Sequence, residues 1–316
     1  MSTDTTVSGG EGTGRGALVA AAVTVLLWAS AFVAIRSAVH DYSPGALALG
    51  RLLAGSLTLG VIMLARREGL PPRAAWPGIV ISGVLWFGVY MVALNWGEQE
   101  VDAGTAAMVI NLGPLLIALL AGWILKEGFP GRLLLGMAVS FTGAAIVGVS
   151  TSESAGSSVL GVVLCVVAAA SWAAATLAQK PALRHASALQ VTTFGCAIGA
   201  VACLPFAGQL VSQAAVAPLP ATLNLLYLGV FPTALAFTTW AYALARTTAG
   251  AMGATTYIVP ALVVLMAWAA LGEVPGPLTF AGGALCLLGV AVSRLRGGAR
   301  RKLSETTSPL SDRQAS

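Results

Sequence analysis

The chain contains two copies of one segment, and each copy carries an odd number of apolar spans. Residues 83–148 align without a gap onto residues 229–294, at a constant displacement of 146 positions. Because five spans per copy start the second copy on the opposite side of a membrane, the halves are predicted to be related by an axis in the membrane plane. The matching pairs include Gly83 and Gly229, Gly104 and Gly250, Pro114 and Pro260, Glu127 and Glu273, Gly136 and Gly282, and Gly143 and Gly289.

The composition indicates that these spans lie in lipid. The sequence is 57% hydrophobic and 9% charged, whereas a soluble domain carries about 25% charged residues. At roughly 20 residues per span, 316 residues accommodate ten helices, and the continuous apolar runs exclude the alternating strands of a barrel. We therefore predict an all-α membrane protein with ten transmembrane helices arranged as two inverted five-helix repeats.

The predicted spans group into two repeats between terminal tails. A disordered tail at 1–16 precedes the first repeat at 17–149, and a basic tail at 296–316 follows the second repeat at 158–295. The spans are 17–38, 44–65, 76–96, 102–125, 131–149, 158–180, 187–210, 221–244, 248–271 and 276–295.

Basic residues are distributed unequally between the two ends of the spans. Every Lys and Arg except Arg36 and Arg51 falls in a tail, loop or span end on one side. The positive-inside rule then predicts a multi-pass plasma-membrane protein with both termini in the cytoplasm. The net charge is +5, but the basic residues lie between apolar spans and in the tail and not on one amphipathic face, so we expect no nucleic-acid partner. The four cysteines sit inside apolar runs without metal-ligand spacing, and we expect no metal and no cofactor.

Two segments resemble a known family. Each is a Leu-x-Glu end of a span followed by a glycine and a glycine-bearing helix, and prolines interrupt the preceding spans. This pattern resembles the EamA-type members of the drug/metabolite transporter superfamily over about residues 17–295. The resemblance implies a ten-helix carrier, often an exporter of amino acids or other small metabolites. It also implies a central cavity lined by the first, third and fourth spans with the sixth, eighth and ninth. The residues concerned are Leu125, Lys126, Glu127, Gly131, Gly136 and Gly143, then Leu271, Gly272, Glu273, Gly276, Gly282 and Gly289, with Pro114, Pro260 and Arg51.

Two prolines interrupt the fourth and ninth spans near their centres. A mid-helix proline removes one backbone hydrogen bond and clashes with the carbonyl four residues earlier. In lipid, the freed carbonyl needs a partner, so the bent turn should face protein or a wet cavity. Asn111 and Tyr257 each lie three residues before the proline and correspond across the repeat. We predict that they bind substrate, with an interhelical hydrogen bond as the alternative.

Two tryptophans form a second corresponding pair. Trp28 and Trp172 are related by a displacement of 144 and lie too deep for the interfacial aromatic belt. We predict that they line the substrate cavity, with lipid-facing bulk as the alternative. Tyr90 of the third span is a further substrate-binding candidate.

Arg51 is a charge well inside a span, and an intramembrane charge is a functional hypothesis by default. It has no charged counterpart, because the corresponding residue is Gly195. We predict either that it binds a substrate carboxylate or that it snorkels outward, for example to Asp41 or Glu98.

Taken together, the sequence predicts a secondary transporter, an exporter or exchanger, of small metabolites such as amino acids. The expected partners are a small-molecule substrate and the lipid bilayer, and a homodimer is left open. A passive channel is the alternative function. An intramembrane enzyme is disfavoured, because every Asp and Glu lies at a span end, in a loop or in a tail, and His40 and His185 lie in loops. We therefore predict no catalytic residues.

Overall fold

The computed structural model describes residues 9–38, 41–100, 109–151, 159–271 and 277–294, and within these ranges the chain forms helices and turns without a strand. Within these ranges we distinguish ten helices, some of them built from consecutive helical segments. They are α1 (Gly9–Ala38), α2 (Pro44–Ala65), α3 (Arg73–Glu100), α4 (Leu112–Ile124), α5 (Gly131–Thr151), α6 (Val159–Ala182), α7 (Ala188–Ala202 with Leu204–Ala214), α8 (Leu219–Arg246), α9 (Ala249–Thr255 with Val259–Leu271) and α10 (Pro277–Arg294).

The lengths and apolar character of these helices fit a bilayer. Helices α1, α2, α3, α6 and α8 are each long and apolar enough to cross a membrane, and α7 is a sixth if its two segments form one span. At 1.5 Å per residue, the 22 residues of α2 reach about 33 Å, close to the roughly 30 Å of a hydrocarbon core. Helices α4, α9 and α10 include shorter apolar stretches. The protein is an all-α membrane protein.

The structure differs from the sequence predictions in two places. Helix α1 begins at Gly9, so the predicted disordered tail is already helical from Gly9 onward, and residues 1–8 lie outside the described ranges. Extending an existing helix adds one backbone hydrogen bond for each residue that is fixed. For this reason α1 continues beyond the end of its apolar span. The predicted seventh span bends by 53° after Ala202. Pro205 explains the bend, because proline has no backbone N–H and starts a helix better than it continues one.

The two sets of five helices interlock through equivalent contacts. Helix α5 packs against α10, α2 against α7, and α4 against α9, so these helices contact their own counterparts in the other repeat. Other contacts come in matched pairs: α1 with α8 corresponds to α6 with α3, and α1 with α9 corresponds to α6 with α4. A two-fold relation between the repeats produces this pattern. The predicted inverted-repeat fold is confirmed.

The crossing of α5 and α10 lies on the axis of this relation. Ser140 Oγ donates to the carbonyl of Cys286 at 3.0 Å, and Cys286 Sγ donates to the carbonyl of Ser140 at 3.5 Å. These residues correspond at a displacement of 146, so each one forms a hydrogen bond with its own counterpart in the other repeat. Glycines let the backbones meet, since a Cβ built on Gly136 would lie 2.5 Å from the carbonyl oxygen of Gly289.

Helices α3 and α8 contain wide π-helical turns at equivalent positions, Gly83–Tyr90 and Gly229–Leu235. Each turn begins at a glycine pressed against the other repeat. A Cβ on the first glycine would lie 2.9 Å from the Gly195 carbonyl oxygen, and a Cβ on the second would lie 2.7 Å from that of Arg51. Turns of this kind are rare and occur frequently at functional sites. The pair therefore draws attention to the space between α3 and α8.

Candidate substrate site between the repeats

An irregular turn lies at the start of α4, and another lies inside α9. A turn at Asn111 precedes α4, and the 3-10 turn Thr256–Ile258 separates the two segments of α9. Both irregular turns lie just before a proline, which confirms the interruptions predicted ahead of Pro114 and Pro260. The Thr256 hydroxyl donates to a carbonyl three residues earlier at 2.7 Å, so a side chain satisfies one backbone acceptor at the break.

Four tryptophans from both repeats meet between α1, α3, α6 and α8. The ring centroids of Trp28 and Trp172 are 6.2 Å apart, and the rings stand edge to face at 86°. Trp240 lies 5.1 Å from Trp28 and 5.3 Å from Trp86. Such aromatic pairs are worth about 0.5–1.5 kcal/mol beyond their burial. Since Trp172 is only 5% exposed, this group, named here the tryptophan cluster, contacts protein rather than lipid.

Three indoles of the tryptophan cluster carry a buried N–H that makes no hydrogen bond to the described residues, namely those of Trp28, Trp172 and Trp240. An indole N–H can only donate. Leaving a buried donor unsatisfied costs about 1–3 kcal/mol, and more than about 90% of buried backbone groups in proteins are satisfied. The cluster therefore presents donors that a molecule with acceptor oxygens would satisfy on entering the site.

The remaining polar candidates are divided between the tryptophan cluster and a second group. The Tyr90 ring lies 6.4 Å from that of Trp172. The turn at Asn111 approaches the same indole, because a Cβ built on Gly113 would lie 2.5 Å from it. Tyr257 is fully buried and lies apart from the tryptophans. Its neighbours belong to α4, α5, α9 and α10 and include Ala118, Met137, Ala254 and Cys286.

Arg51 is held inside the protein by the other repeat. It is 3% exposed, and its Nε donates to Thr233 Oγ1 at 3.0 Å. The Thr233 hydroxyl, in the π-helical turn of α8, donates in turn to the carbonyl of Leu228 at 2.8 Å. Tyr90 and Glu98 lie close enough to Arg51 to interact with it electrostatically. Both predicted roles, pairing with Glu98 and binding of a substrate carboxylate, stay open to this guanidinium.

The counterpart of the Arg51 contact is apolar. Arg51 corresponds to Gly195 at a displacement of 144, and Thr233 corresponds to Phe87 at a displacement of 146. A Cβ built on Gly195 would lie 3.2 Å from the Phe87 ring, so the same two positions meet in both halves. One contact carries a charge and a hydroxyl, whereas the other carries a glycine and a phenyl ring. The space between the repeats is therefore chemically asymmetric.

Two members of the tryptophan cluster, Trp86 and Trp240, could not be found by comparing the two repeats. Trp86 corresponds to Pro232 and Trp240 corresponds to Leu94, so neither has an aromatic counterpart. The remaining signal in the sequence is the position of each tryptophan within a span. Both rings are almost fully buried, and Phe237 packs against Trp86 at 4.8 Å.

Two charged residues hold the turn between α8 and α9. Glu127 accepts from the backbone N–H of Ala249 at 2.9 Å and of Gly250 at 3.3 Å. The Lys180 ammonium donates to the carbonyls of Leu244 and Thr247. A carboxylate at a helix N-terminus satisfies free N–H groups and complements the helix dipole. Glu127 therefore caps the first turn of α9, whereas Glu273 lies outside the described ranges.

Comparison with known proteins identifies the family. Residues 15–149 and 159–295 each match the EamA-like transporter family. The chain belongs to this family. One solved crystal structure matches with a TM-score of 0.75 and 22% sequence identity. The match covers 89% of this chain and 97% of the chain in that structure, so the two share a fold.

Two relatives cover most of the EamA-family chain. The probable terminal-alkyne amino-acid exporter of Streptantibioticus cattleyicolor is 36% identical over 290 residues, which are 92% of this chain and 97% of that protein. The uncharacterized transporter YdfC of Bacillus subtilis is 29% identical over 286 residues, 90% and 93% of the two chains. This EamA-family protein is accordingly a transporter of small molecules in a membrane and is not an enzyme.

Proposed function

We propose that this EamA-family protein is a secondary transporter that exports or exchanges amino acids and related small metabolites by alternating access. The observation that carries the proposal is the tryptophan cluster, where the two repeats meet and where three indole N–H groups have no hydrogen-bond partner among the described residues. A substrate that bridges two repeats can be exposed to either side as the repeats rock against each other. The donors would take up carboxylate oxygens, and the ring faces would take up an apolar side chain.

The substrate class follows from two independent considerations. The rings and N–H groups of the tryptophan cluster are uncharged, so a cation would be desolvated there without a counter-charge, whereas a carboxylate could pair with the buried Arg51. A zwitterionic amino acid is neutral overall and carries both an acceptor-rich head and a side chain. The relative named as a terminal-alkyne amino-acid exporter supports the same class. In this proposal Trp28, Trp172, Tyr90 and Asn111 line the site, Tyr257 supports the break in α9, and Arg51 contributes from α2.

Counterflow tests the transport function. Liposomes containing the purified protein are loaded with unlabelled L-phenylalanine or L-propargylglycine and diluted into a trace of the labelled compound. A carrier accumulates label transiently and saturably, because unlabelled substrate leaving the liposome returns the carrier to the outside. A passive channel gives uptake that internal substrate does not stimulate. Absence of stimulated uptake with both amino acids would refute the proposed function.

The orientation is a separate part of the proposal. The concentration of Lys and Arg on one side supports cytoplasmic termini in the plasma membrane. In a variant without the four native cysteines, Glu100→Cys and Arg300→Cys are expected to react with a membrane-impermeant maleimide from opposite sides of the membrane. Intact cells should label only position 100, and inverted vesicles should label only position 300. Labelling of both positions from one side would contradict this topology.

A further inference from the structure

Helix α6 carries a buried polar stripe that extends from the tryptophan cluster toward the end of the helix at Ala182. Trp172, Thr176 and Gln179 are spaced by four and three residues and so lie on one face of the helix. Thr176 and Gln179 are fully buried. The Thr176 hydroxyl and both amide atoms of Gln179 make no hydrogen bond to the described residues, as is also true of the Trp172 N–H.

The state of Thr176 is unusual within this molecule. Each of the other buried threonines in the described ranges donates its hydroxyl to a backbone carbonyl, most often one turn earlier on the same helix. Thr193, for example, bonds the carbonyl of Leu189 at 2.7 Å. The buried threonines that do so are Thr24, Thr192, Thr193, Thr233, Thr255 and Thr256. A buried hydroxyl and a buried carboxamide that lie side by side without a partner among the described residues favour a bound molecule as their partner.

The stripe exists on only one side of the tryptophan cluster. At a displacement of 144, the counterparts of Trp172, Thr176 and Gln179 are Trp28, Phe32 and Ile35. Ile35 is buried in an apolar group with Ala31 and Tyr42. The repeat therefore keeps the tryptophan in both halves but places hydrogen-bonding groups at these two following positions in α6 alone. A ligand that lies across the tryptophan cluster would thus be bound in one orientation, with its polar end toward Gln179.

We propose that Thr176 and Gln179 form a subsite for the α-amino-carboxylate head of a zwitterionic amino acid, whose side chain the tryptophan cluster holds. This inference rests on the proposed transport function and names the residues that would select the head group. A carboxamide presents a donor and an acceptor side by side, and an amino-acid head presents a carboxylate acceptor beside an ammonium donor. The Thr176 hydroxyl can both donate and accept, and the Trp172 N–H can donate to the carboxylate.

Charge supports a zwitterion over an ion. The stripe itself is uncharged, and the nearby Lys180 ammonium, which is next in sequence, bonds two backbone carbonyls of the α8–α9 turn. Glu127, close enough to Lys180 to interact electrostatically, accepts from the backbone of the same turn. Both groups are thus engaged by the turn, and Arg184 is a second cation close to Lys180. A substrate with a net charge would find no dedicated counter-ion among these groups.

The experiment uses Thr176→Val and Gln179→Leu in the full-length protein, with Thr24→Val as the matched control. Thr24 is an equally buried threonine, but its hydroxyl bonds Ala20 and Thr239. Two quantities are measured: the half-saturating concentration for L-phenylalanine and L-propargylglycine counterflow, and the melting temperature of the ligand-free protein in detergent. Competition by 3-phenylpropionate and 2-phenylethylamine, which lack the ammonium and the carboxylate respectively, measures head-group recognition.

We expect opposite effects on binding and on stability. A neutral hydrogen bond contributes about 1 kcal/mol, so Thr176→Val should raise the half-saturating concentration about fivefold, and Gln179→Leu, which removes two bonds, about 25-fold. The melting temperature of the ligand-free variants should stay level or rise, because unpaired polar groups have been removed. Thr24→Val should lower the melting temperature, since it breaks existing bonds. In the wild-type protein, both analogues should compete much more weakly than phenylalanine itself. In Gln179→Leu, the difference between phenylalanine and the analogues should be smaller.

Several results would overturn the subsite and separate it from the transport function. Counterflow in the wild type with unchanged half-saturation in both variants would refute the subsite and leave the transport function standing. A fall in melting temperature like that of Thr24→Val would show that the polar groups have structural partners. Competition by 3-phenylpropionate as strong as by phenylalanine would exclude head-group recognition. If the wild type exchanges neither amino acid, the proposed function and the subsite both fail.

Discussion

Replacing Gly289 with alanine is expected to destabilise the protein by about 3 kcal/mol and to deplete it from the membrane. The added methyl carbon would lie 2.5 Å from the Gly136 carbonyl oxygen and would collide with the backbone N and Oγ of Ser140. Overpacking usually costs about 1–3 kcal/mol, and this site falls at the upper end because the obstacle is backbone that cannot rotate away. Membrane abundance and the melting temperature in detergent measure the effect.

Gly283→Ala on the same helix is the matched control for this prediction. A Cβ there would lie 3.4 Å from the Ala261 Cβ, an ordinary contact distance. Alanine favours a helix over glycine by about 1 kcal/mol, so this variant should be as stable as the wild type or more so. Equal melting temperatures for Gly289→Ala and the wild type would show that α5 and α10 do not cross as closely as described.

Replacing Trp172 with alanine is expected to reduce phenylalanine counterflow roughly 100-fold at equal membrane abundance. This indole contacts the rings of Trp28, Trp86, Tyr90 and Trp240, and its N–H has no partner among the described residues. Replacing a buried aromatic side chain with a small one costs about 3–5 kcal/mol of folding stability. We expect the substrate complex to lose part of the same contact energy. Trp172→Phe keeps an aromatic face but lacks the donor, so we expect an intermediate loss of about tenfold.

Trp123→Ala is the matched control for Trp172, because Trp123 is 75% exposed on α4 and faces away from the cluster. It should transport at the wild-type rate. Abundance must be measured for each variant, since an unstable protein would mimic a damaged site. Wild-type counterflow by a properly inserted Trp172→Ala protein would remove Trp172 from the proposed site.

The sequence predicts the fold more completely than it predicts the site, and the reason lies in how each is encoded. The inverted repeat follows from a constant displacement and the number of spans, and the breaks near Asn111 and Tyr257 follow from a proline three residues later. The π-helical turn Gly83–Tyr90 contains no proline, so nothing local in the sequence predicts it. It depends on how closely Gly83 approaches α7, which is a tertiary contact.

The site residues divide along the same line. Trp28 and Trp172 can be found because the repeat keeps them, whereas Trp86 and Trp240 belong to the cluster without corresponding tryptophans. Gln179 is still harder to find from the sequence, because what distinguishes it is a side chain without a hydrogen-bond partner among the described residues, and only three-dimensional positions reveal that. Tyr257 illustrates the converse, since correspondence with Asn111 does not place its ring beside the tryptophans.

The unequal contacts of Arg51 with Thr233 and of Gly195 with Phe87 bear on which compartment the resting protein faces. A carrier with two identical halves would rest equally often open to either compartment. A hydrogen bond from a charged group contributes about 1.5–3 kcal/mol, and such a bond kept in only one access state shifts the ratio of the two states roughly 10- to 150-fold. One polar contact without a polar counterpart is therefore sufficient to make a reversible carrier rest mostly open to one compartment, which gives it different half-saturating concentrations on the two sides while the substrate gradients still set the direction of net flux.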